Sequence, residues 1–383
     1  MKFFFSVDQK NSPLKPAMLT NRQLVGSVIF STPIIIIGGQ SVASLSLTLE
    51  TVISQPGIQL QFVIVIYNPD VNPDIPDLTD LFGFTSLPTK FTEYWKILDF
   101  AFNNAYKSFP TSQYVILVEE GLLLAPDFLS FMATMQPVLS DSSLLGISAW
   151  NPNGYANVSS KPDIAYRINN FPGQGFLIRM ETYIKELKHD MKACCNKPGW
   201  QGNWLETERW EREIIIPELS RVLRRPVGVD LEPSTPFMKA LFHRIRATNL
   251  DYQASIPNAD ILKLKNYEKS IREILSDKKF STIIKLSQKD LDLCCKTGDI
   301  NYIKSNIEVF DKINVLSFKD IGGGLKLAAK CFSLFYEQDS PVLGEHQGML
   351  RFTLHNTQLI VMSNKSPHFS IAPYNTTKLI LPS

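Results

Sequence analysis

Several features that would assign a function class directly are missing from this 383-residue sequence. No apolar run reaches the roughly 18 residues of a membrane-spanning helix, and no GxGxxG or Walker phosphate-binding pattern places a nucleotide. No CxxC spacing or Cys/His cluster indicates zinc. The formal net charge is only +2, without a long basic block, which argues against a nucleic acid as the main partner.

Cysteine is scarce as well, with five residues in the whole chain. They occur as two adjacent pairs, Cys194-Cys195 and Cys294-Cys295, and the single Cys331. This pattern favours buried or free thiols, and the odd count leaves at least one cysteine outside any intrachain disulfide. We therefore predict a chain whose electrophoretic migration does not change with reductant.

What the sequence contains is an alternation of strand-like and helix-like segments. Apolar runs begin at Pro33, Gln61 and Tyr114, and helical patterns separate them over 42–53 and 93–108. This alternation predicts an α/β fold with a doubly wound, mostly parallel sheet. The glycine run at 322–324 follows no convincing strand, so it is interpreted as a loop.

The chain divides into three predicted parts. Residues 1–30 are polar and read as a leader or the remnant of a stem. Residues 31–250 carry the alternating pattern of a nucleotide-binding domain, and residues 251–383 are expected to form a C-terminal α+β lobe of the same unit. A helix over 325–335 and strands over 349–354 and 358–362 fit the periodicity of this lobe.

The segment YVILVEEGLLLAPDF, residues 114–128, points to a site because an apolar strand delivers Glu119 and Glu120 into a glycine turn. Ligands of mostly parallel sheets collect outside the carboxyl ends of the strands. Carboxylate oxygens at this place suit a hard cation or a nucleotide-bound metal. The alternative is that both carboxylates only cap a strand end in solvent.

Further motifs extend this pattern along the chain: DSSLLGISAWNPNGY over 141–155, YRINNFPGQGF over 166–176, IIIPELSR over 214–221 and a tail containing Ala-Lys-Cys over 325–362. In collinear order they resemble the family of N-acetylglucosaminyltransferase I and protein O-mannose β-1,2-N-acetylglucosaminyltransferase. The resemblance implies a Rossmann-like glycosyltransferase of GT-A type. It also implies an inverting, manganese-assisted transfer of N-acetylglucosamine from UDP-GlcNAc to O-linked mannose of a glycoprotein in the Golgi lumen.

The resemblance assigns the nucleotide-sugar side to Gln40, Glu119, Glu120 and Trp200. Gln40 lies where the family has an arginine near the nucleotide. The family's metal ligand falls on Gly121, which has no side chain, so Glu120 is the remaining candidate for manganese. The alternative is that the chain binds no metal.

The family's catalytic base, an aspartate between two tryptophans, corresponds to Gln201, and an amide cannot accept the acceptor's proton near neutral pH. Glu206 and Glu208 are the possible substitutes, and exposed acids on a charged helix are the plainer interpretation.

Other matched positions belong to the scaffold. Pro172, Gly173 and Gly175 form the loop on the acceptor side, and the family's disulfide positions are Gly146 and Ile214. The chain as given has no anchor, so it is cytoplasmic if complete. Two functions remain open: the family's transfer reaction, or a catalytically inactive relative that binds a glycan or a partner.

Overall fold

The computed structural model describes most of the chain. The described residues are 16–195, 212–226, 241–242, 244–252, 254–277, 279–286, 292, 312–320, 322–335, 342–354, 356–371 and 377–378. Within them, the fold has two mixed sheets joined by a buried polar contact zone.

The first sheet has eight strands in the order β3-β2-β1-β4-β8-β6-β9-β7. These strands are β1 Ile34–Ile37, β2 Val63–Tyr67, β3 Thr85–Pro88, β4 Tyr114–Glu119, β6 Leu144–Ser148, β7 Ala165–Ile168, β8 Phe176–Arg179 and β9 Glu213–Pro217. β1 pairs in parallel with both β2 and β4, whereas β8 runs antiparallel between β4 and β6. The parallel half confirms the predicted α/β, Rossmann-like fold.

Helices cover this sheet on both faces. They are α1 Val42–Ile53, α2 Ile75–Phe82, α3 Tyr94–Ser108, α4 Phe128–Met135, and two short ones, α5 Met180–Thr182 and α6 Met191–Cys194. The strands are nearly continuous apolar runs because helices bury both of their faces. α1 begins where Ser41 caps it through a hydrogen bond from the Ser44 N–H, as its sequence pattern predicts.

A small antiparallel ribbon lies beyond the end of β4. It consists of β5, Leu122–Leu124, and β10, Val222–Arg224, with Arg224 opposite Leu122. The ribbon brings a segment from the second half of the chain against the acidic turn. This pairing decides the surroundings of the predicted site.

The second sheet has the order β13-β14-β15-β12-β11-β16. Its elements are α7 Leu264–Ser276, β11 Ser281–Leu286, β12 Ile313–Phe318, α8 Gly324–Cys331, β13 Glu345–His346, β14 Met349–Leu354, β15 Thr357–Ser363 and β16 Thr377–Lys378. The predicted strands of the tail are present, and the predicted helix over 325–335 is present but ends at Cys331. The division of the chain at residues 250 and 251 stays a prediction.

The interpretation of the glycine run as a loop is confirmed for Gly322 and Gly323, but the expectation that no strand precedes it is wrong. β12 is parallel to β11 and β15 and ends at Phe318, and α8 begins at Gly324. Oδ1 of Asp320 accepts hydrogen bonds from the N–H groups of Gly322 and Gly324, both at 2.9 Å. The carboxylate of the chain itself therefore occupies the turn that a phosphate would need.

Cys194, Cys195 and Cys331 are buried, as predicted, but the expectation of free thiols is wrong. Cys194 and Cys195 form a disulfide with each other, and Cys331 is disulfide-bonded as well. Zinc and redox motifs separate their cysteines, so neither pattern anticipates a bond between neighbouring cysteines.

Candidate functional site

The site forms at the carboxyl end of β4, where Glu120 turns toward the loop between β1 and α1. Oε2 of Glu120 accepts hydrogen bonds from the N–H groups of Gly39 (2.7 Å) and Gln40 (2.9 Å), and Oε1 accepts one from Ser41 (2.8 Å). Burial raises the pKa of the Glu120 carboxyl, while the three N–H donors and Arg224 act in the opposite direction. Both oxygens of Glu120 are thus engaged by the protein.

Glu119 lies on the last position of β4 and is also engaged. Its Oε1 accepts a hydrogen bond from the Tyr94 hydroxyl at 2.5 Å, and its Oε2 lies 3.1 Å from Nη1 of Arg224. Burial and the adjacent Glu119 charge raise the pKa of Tyr94 well above its ordinary value, so this phenol stays a hydrogen-bond donor. Arg224 neutralises the remaining charge from the β10 side.

Gly121 completes the turn with a φ of +88°, a conformation that favours glycine. Its N–H donates to Oγ1 of Thr48 at 3.2 Å, and its carbonyl accepts the N–H of Arg225 at 2.7 Å. A side chain introduced here would carry backbone strain, and it would do so at the position that matches the family's metal ligand.

These residues do not fit a manganese ion. Mn²⁺ needs several oxygen ligands free to coordinate it, whereas both carboxylates of this turn already hold protein donors. Among the described residues, no three acidic, histidine or cysteine side chains gather in a way that could hold a metal. A metal at Glu120 would have to replace one of its three N–H partners, so its candidacy stays a prediction.

Gln40 contributes to the site through its backbone. Its N–H donates a hydrogen bond to Glu120, and Gln40 is exposed. Nδ2 of Asn72 donates to the carbonyl of Gly39 and holds the loop from the other side. Gln40 has an uncharged amide side chain at the position where the resemblance expects the family's arginine.

The predicted acceptor-side loop is buried. Pro172, Gly173 and Gly175 are all inaccessible, and the Gly173 carbonyl accepts the Ser148 hydroxyl at 2.6 Å. Gly175 has a φ of +69°, and a Cβ there would lie 3.0 Å from Cγ1 of Val222. β8 follows this loop and is antiparallel to β4, with Phe176 opposite Leu117, which directs the loop toward the end of β4. No hydrogen bond joins the loop to Glu119 or Glu120 within the described part of the chain, and their assembly into one cleft stays a prediction.

Sequence reasoning missed Gln174 in the middle of this loop. The residue has a φ of +58° and is only 2% exposed. Within the described structure neither Oε1 nor Nε2 of its side chain has a hydrogen-bond partner. Strained backbone with orphaned buried polar atoms is typical of functional loops. The one available signal was the glutamine itself in FPGQGF, where the resembling family has an apolar residue.

The remaining predicted site residues lie outside the described residues. They are Trp200, Gln201, Glu206 and Glu208. Their roles stay as the resemblance states them.

The IIIPELSR motif has a structural role. Glu218 is fully buried and accepts hydrogen bonds from the Tyr166 hydroxyl at 2.7 Å and the Thr353 hydroxyl at 2.8 Å. Arg221 pairs with the equally buried Asp127 at 2.8 Å. The motif positions β10 and joins the first sheet to the second.

Comparison with known proteins agrees with this arrangement. The model of the GNT-I family matches residues 75–272, which is more than half of the chain, and the chain therefore belongs to the GNT-I family. The first sheet with its helices is accordingly the mixed α/β core of a Rossmann-like, GT-A type glycosyltransferase fold. The matched residues include the acidic turn and the acceptor-side loop.

A curated relative is the alpha-1,3-mannosyl-glycoprotein 2-beta-N-acetylglucosaminyltransferase of Arabidopsis thaliana. It is 27% identical over 143 residues, which are 36% of this chain and 31% of the relative. The chain thus covers about a third of the length of that relative.

Solved structures share the fold at low similarity. A structure of GalNAc-T7 with UDP, GalNAc and Mn²⁺ has a TM-score of 0.39 and 15% identity over 54% of this chain and 47% of that one. S. aureus TarS has a TM-score of 0.35 and 11% identity over 50% of this chain and 59% of that one. Neither carries an argument about function. No helix in the described part of the chain is long and apolar enough to cross a membrane.

Proposed function

We propose that this GNT-I-family chain binds a UDP-linked N-acetylglucosamine without manganese and has lost the family's metal-dependent transfer. The observation that carries the proposal is that both carboxylates of the acidic turn are already paired with donors of the protein. Glu120 is held by three backbone N–H groups, Glu119 is neutralised by Arg224, and the third position is glycine. The turn therefore offers no carboxylate that is free to coordinate a manganese ion.

The sequence adds a second loss. Gln201 occupies the family's base position, and general-base catalysis typically contributes about 10²- to 10⁴-fold in rate. Metal stabilisation of the departing diphosphate contributes several kcal/mol more. The two losses together bring transfer close to background, while the nucleotide-sugar fold is kept.

The test is a pair of measurements on the full chain. Calorimetric titration with UDP and UDP-GlcNAc, in EDTA and in manganese, is expected to show binding that does not depend on the metal. Transfer to mannosyl peptide or glycan is expected to remain at background in both buffers. Absence of binding in both buffers would contradict the proposal.

The second candidate is active β-1,2 transfer to mannose, and the resemblance of the tail to the O-mannose enzymes favours it. The name of the Arabidopsis relative also gives a mannosyl glycoprotein as acceptor. Robust manganese-dependent transfer by the unmodified chain would support this candidate, with Glu120 as metal ligand and Glu206 or Glu208 as base. O-mannosyl and N-glycan acceptors compared side by side would then identify the acceptor.

We propose that the protein lies in the Golgi lumen, which membership of the GNT-I family supports; the cytoplasmic alternative has no support. Its sequence carries glycosylation triplets, for example at Asn157, and Asn157 is exposed. Sensitivity of the native protein to an N-glycan-removing enzyme is the expected result. A chain from cells that is never glycosylated would contradict this location.

A further inference from the structure

The ribbon beside the acidic turn carries an arginine that the proposed function does not yet use. In the ribbon Val222 pairs with Leu124, Leu223 with Leu123 and Arg224 with Leu122. One step further, the same register sets Arg225 opposite Gly121. The hydrogen bond from the Arg225 N–H to the Gly121 carbonyl, at 2.7 Å, shows that the pairing extends this far.

Directly opposed residues of an antiparallel pair extend from the same face, with Cβ atoms about 5 Å apart. A side chain at position 121 and the side chain of Arg225 therefore belong to one face of the ribbon. Position 121 is the position that matches the metal ligand of the resembling family. Arg225 thus stands beside the place where a divalent cation would be needed.

The two arginines of this segment have different surroundings. Arg224 has a side chain only 5% exposed and pairs with Glu119. Arg225 is exposed, and no ion pair of its side chain is found among the described residues. Adjacent residues of a strand face opposite sides, which explains why one arginine is used internally and the other is presented outward.

The charges around the turn leave a net positive charge that favours an anion. The charge of Glu119 is offset by Arg224, and that of Glu120 is held by three N–H groups at the start of α1. Arg225 remains as the uncompensated charge next to Gly121. A guanidinium binds phosphate oxygens through two parallel, charge-assisted hydrogen bonds.

We propose that Arg225 binds the diphosphate of the nucleotide sugar in place of a metal ion. This inference rests on the proposed function, because it assumes that a UDP-sugar occupies the family's site. The ligand class is a nucleoside diphosphate or its sugar ester, bound without a divalent cation.

The experiment compares the full-length wild type with Arg225→Gln by calorimetric titration of UDP and of uridine in EDTA. The variant is expected to bind UDP about 10- to 100-fold more weakly, which is the value of a hydrogen bond to a charged group. Uridine, which has no phosphate, is expected to bind both proteins equally. Arg225→Lys keeps the charge without the planar fork and should give an intermediate affinity.

Arg272→Gln is the matched control, since Arg272 is an exposed arginine on α7 and its replacement changes the net charge equally. It is expected to bind UDP like the wild type, and thermal unfolding of each variant verifies the fold. If wild type binds UDP in EDTA and Arg225→Gln binds it equally well, the inference is overturned while the proposed function stands. If wild type binds only with manganese, or not at all, the proposed function itself fails.

Discussion

At the scale of single residues, the proposed loss of metal-dependent transfer rests on a few side chains. Gly121 has no carboxylate at the position that the resemblance matches to the family's metal ligand, and its φ of +88° favours glycine. Reintroducing Asp there would add a ligand in a strained backbone conformation, which costs of order 1 kcal/mol or more. Restoring metal binding thus requires more than the missing carboxylate.

Gln174 gives a prediction at the same scale. Replacing it with Leu removes two buried polar atoms that have no partner, and each such atom costs about 1–3 kcal/mol. Gln174→Leu is therefore expected to raise the free energy of unfolding by about 1–3 kcal/mol. Urea denaturation measures this change.

The matched control is Gln174→Asn, which keeps an orphaned amide and tolerates a positive φ better than Leu. A gain with Asn but not with Leu would mean that backbone strain, and not the orphaned amide, limits stability. Weaker UDP-GlcNAc binding by a stabilised Gln174→Leu protein would identify the amide as a ligand contact.

At the scale of elements, the first sheet is tightly packed at the positions where the resemblance implies the family's disulfide. Gly146 on β6 and Ile214 on β9 are partners in adjacent parallel strands, so the resemblance puts the two family cysteines at neighbouring positions. A Cβ on Gly146 would lie 2.5 Å from the carbonyl oxygen of Leu177 on β8. β8 therefore leaves no room for a side chain at position 146.

The expected result for Gly146→Ala is destabilisation by about 1–3 kcal/mol, typical of overpacking a core. Differential scanning calorimetry measures it. A Gly146→Ala protein as stable as wild type would show that β8 yields easily. The family disulfide could then be restored with cysteines at 146 and 214.

The elements also show how far the sequence predicts this fold. α1 has the predicted limits because a capping serine and an apolar period coincide locally. The carboxylates of the acidic turn were found from the sequence for the same reason. The Arg224–Glu119 pair joins residues 105 positions apart, and no local period encodes such a pairing. The strand before the glycine run, β12, was missed because it contains few apolar residues and follows a polar segment.

At the scale of the whole molecule, the two sheets meet at a buried polar cluster around Glu213. Glu213 on β9 pairs with Arg167 on β7, and its Oε1 lies 3.0 Å from Nδ1 of His346 on β13. The carbonyl of Glu345 accepts the N–H of Asn169 at 2.7 Å. Charged groups so deeply buried stabilise a structure only while they stay paired.

This contact zone predicts the acid sensitivity of the protein. Burial opposes ionisation of Glu213, but His346 and Arg167 outweigh it and lower the pKa of its carboxyl below the ordinary value of 4.5. The unfolded chain therefore takes up this proton more readily, so the stabilisation is complete above about pH 4.5 and is lost as pH falls through the folded pKa.

Urea denaturation between pH 3 and 7 should show stability falling on the acid side in wild type. Glu213→Gln is expected to be less stable at neutral pH and to lose less stability as the pH falls. Glu273 is exposed on α7, and Glu273→Gln should have the pH dependence of the wild type. An acid limb of unchanged steepness in Glu213→Gln would assign the pH dependence to other carboxyls.

The ribbon of β5 and β10 has a consequence for the order of events during synthesis. A nascent chain that has left the ribosome only as far as β4 already exposes Glu119 and Gly121, but it has neither the strand that covers them nor the arginine that neutralises Glu119. β9 must also enter the first sheet between β6 and β7, which precede it in the chain. Because such distant pairings are slow to form, the site should be among the last parts of the first sheet to mature, and a chain stopped before residue 222 should have a sheet core without a site.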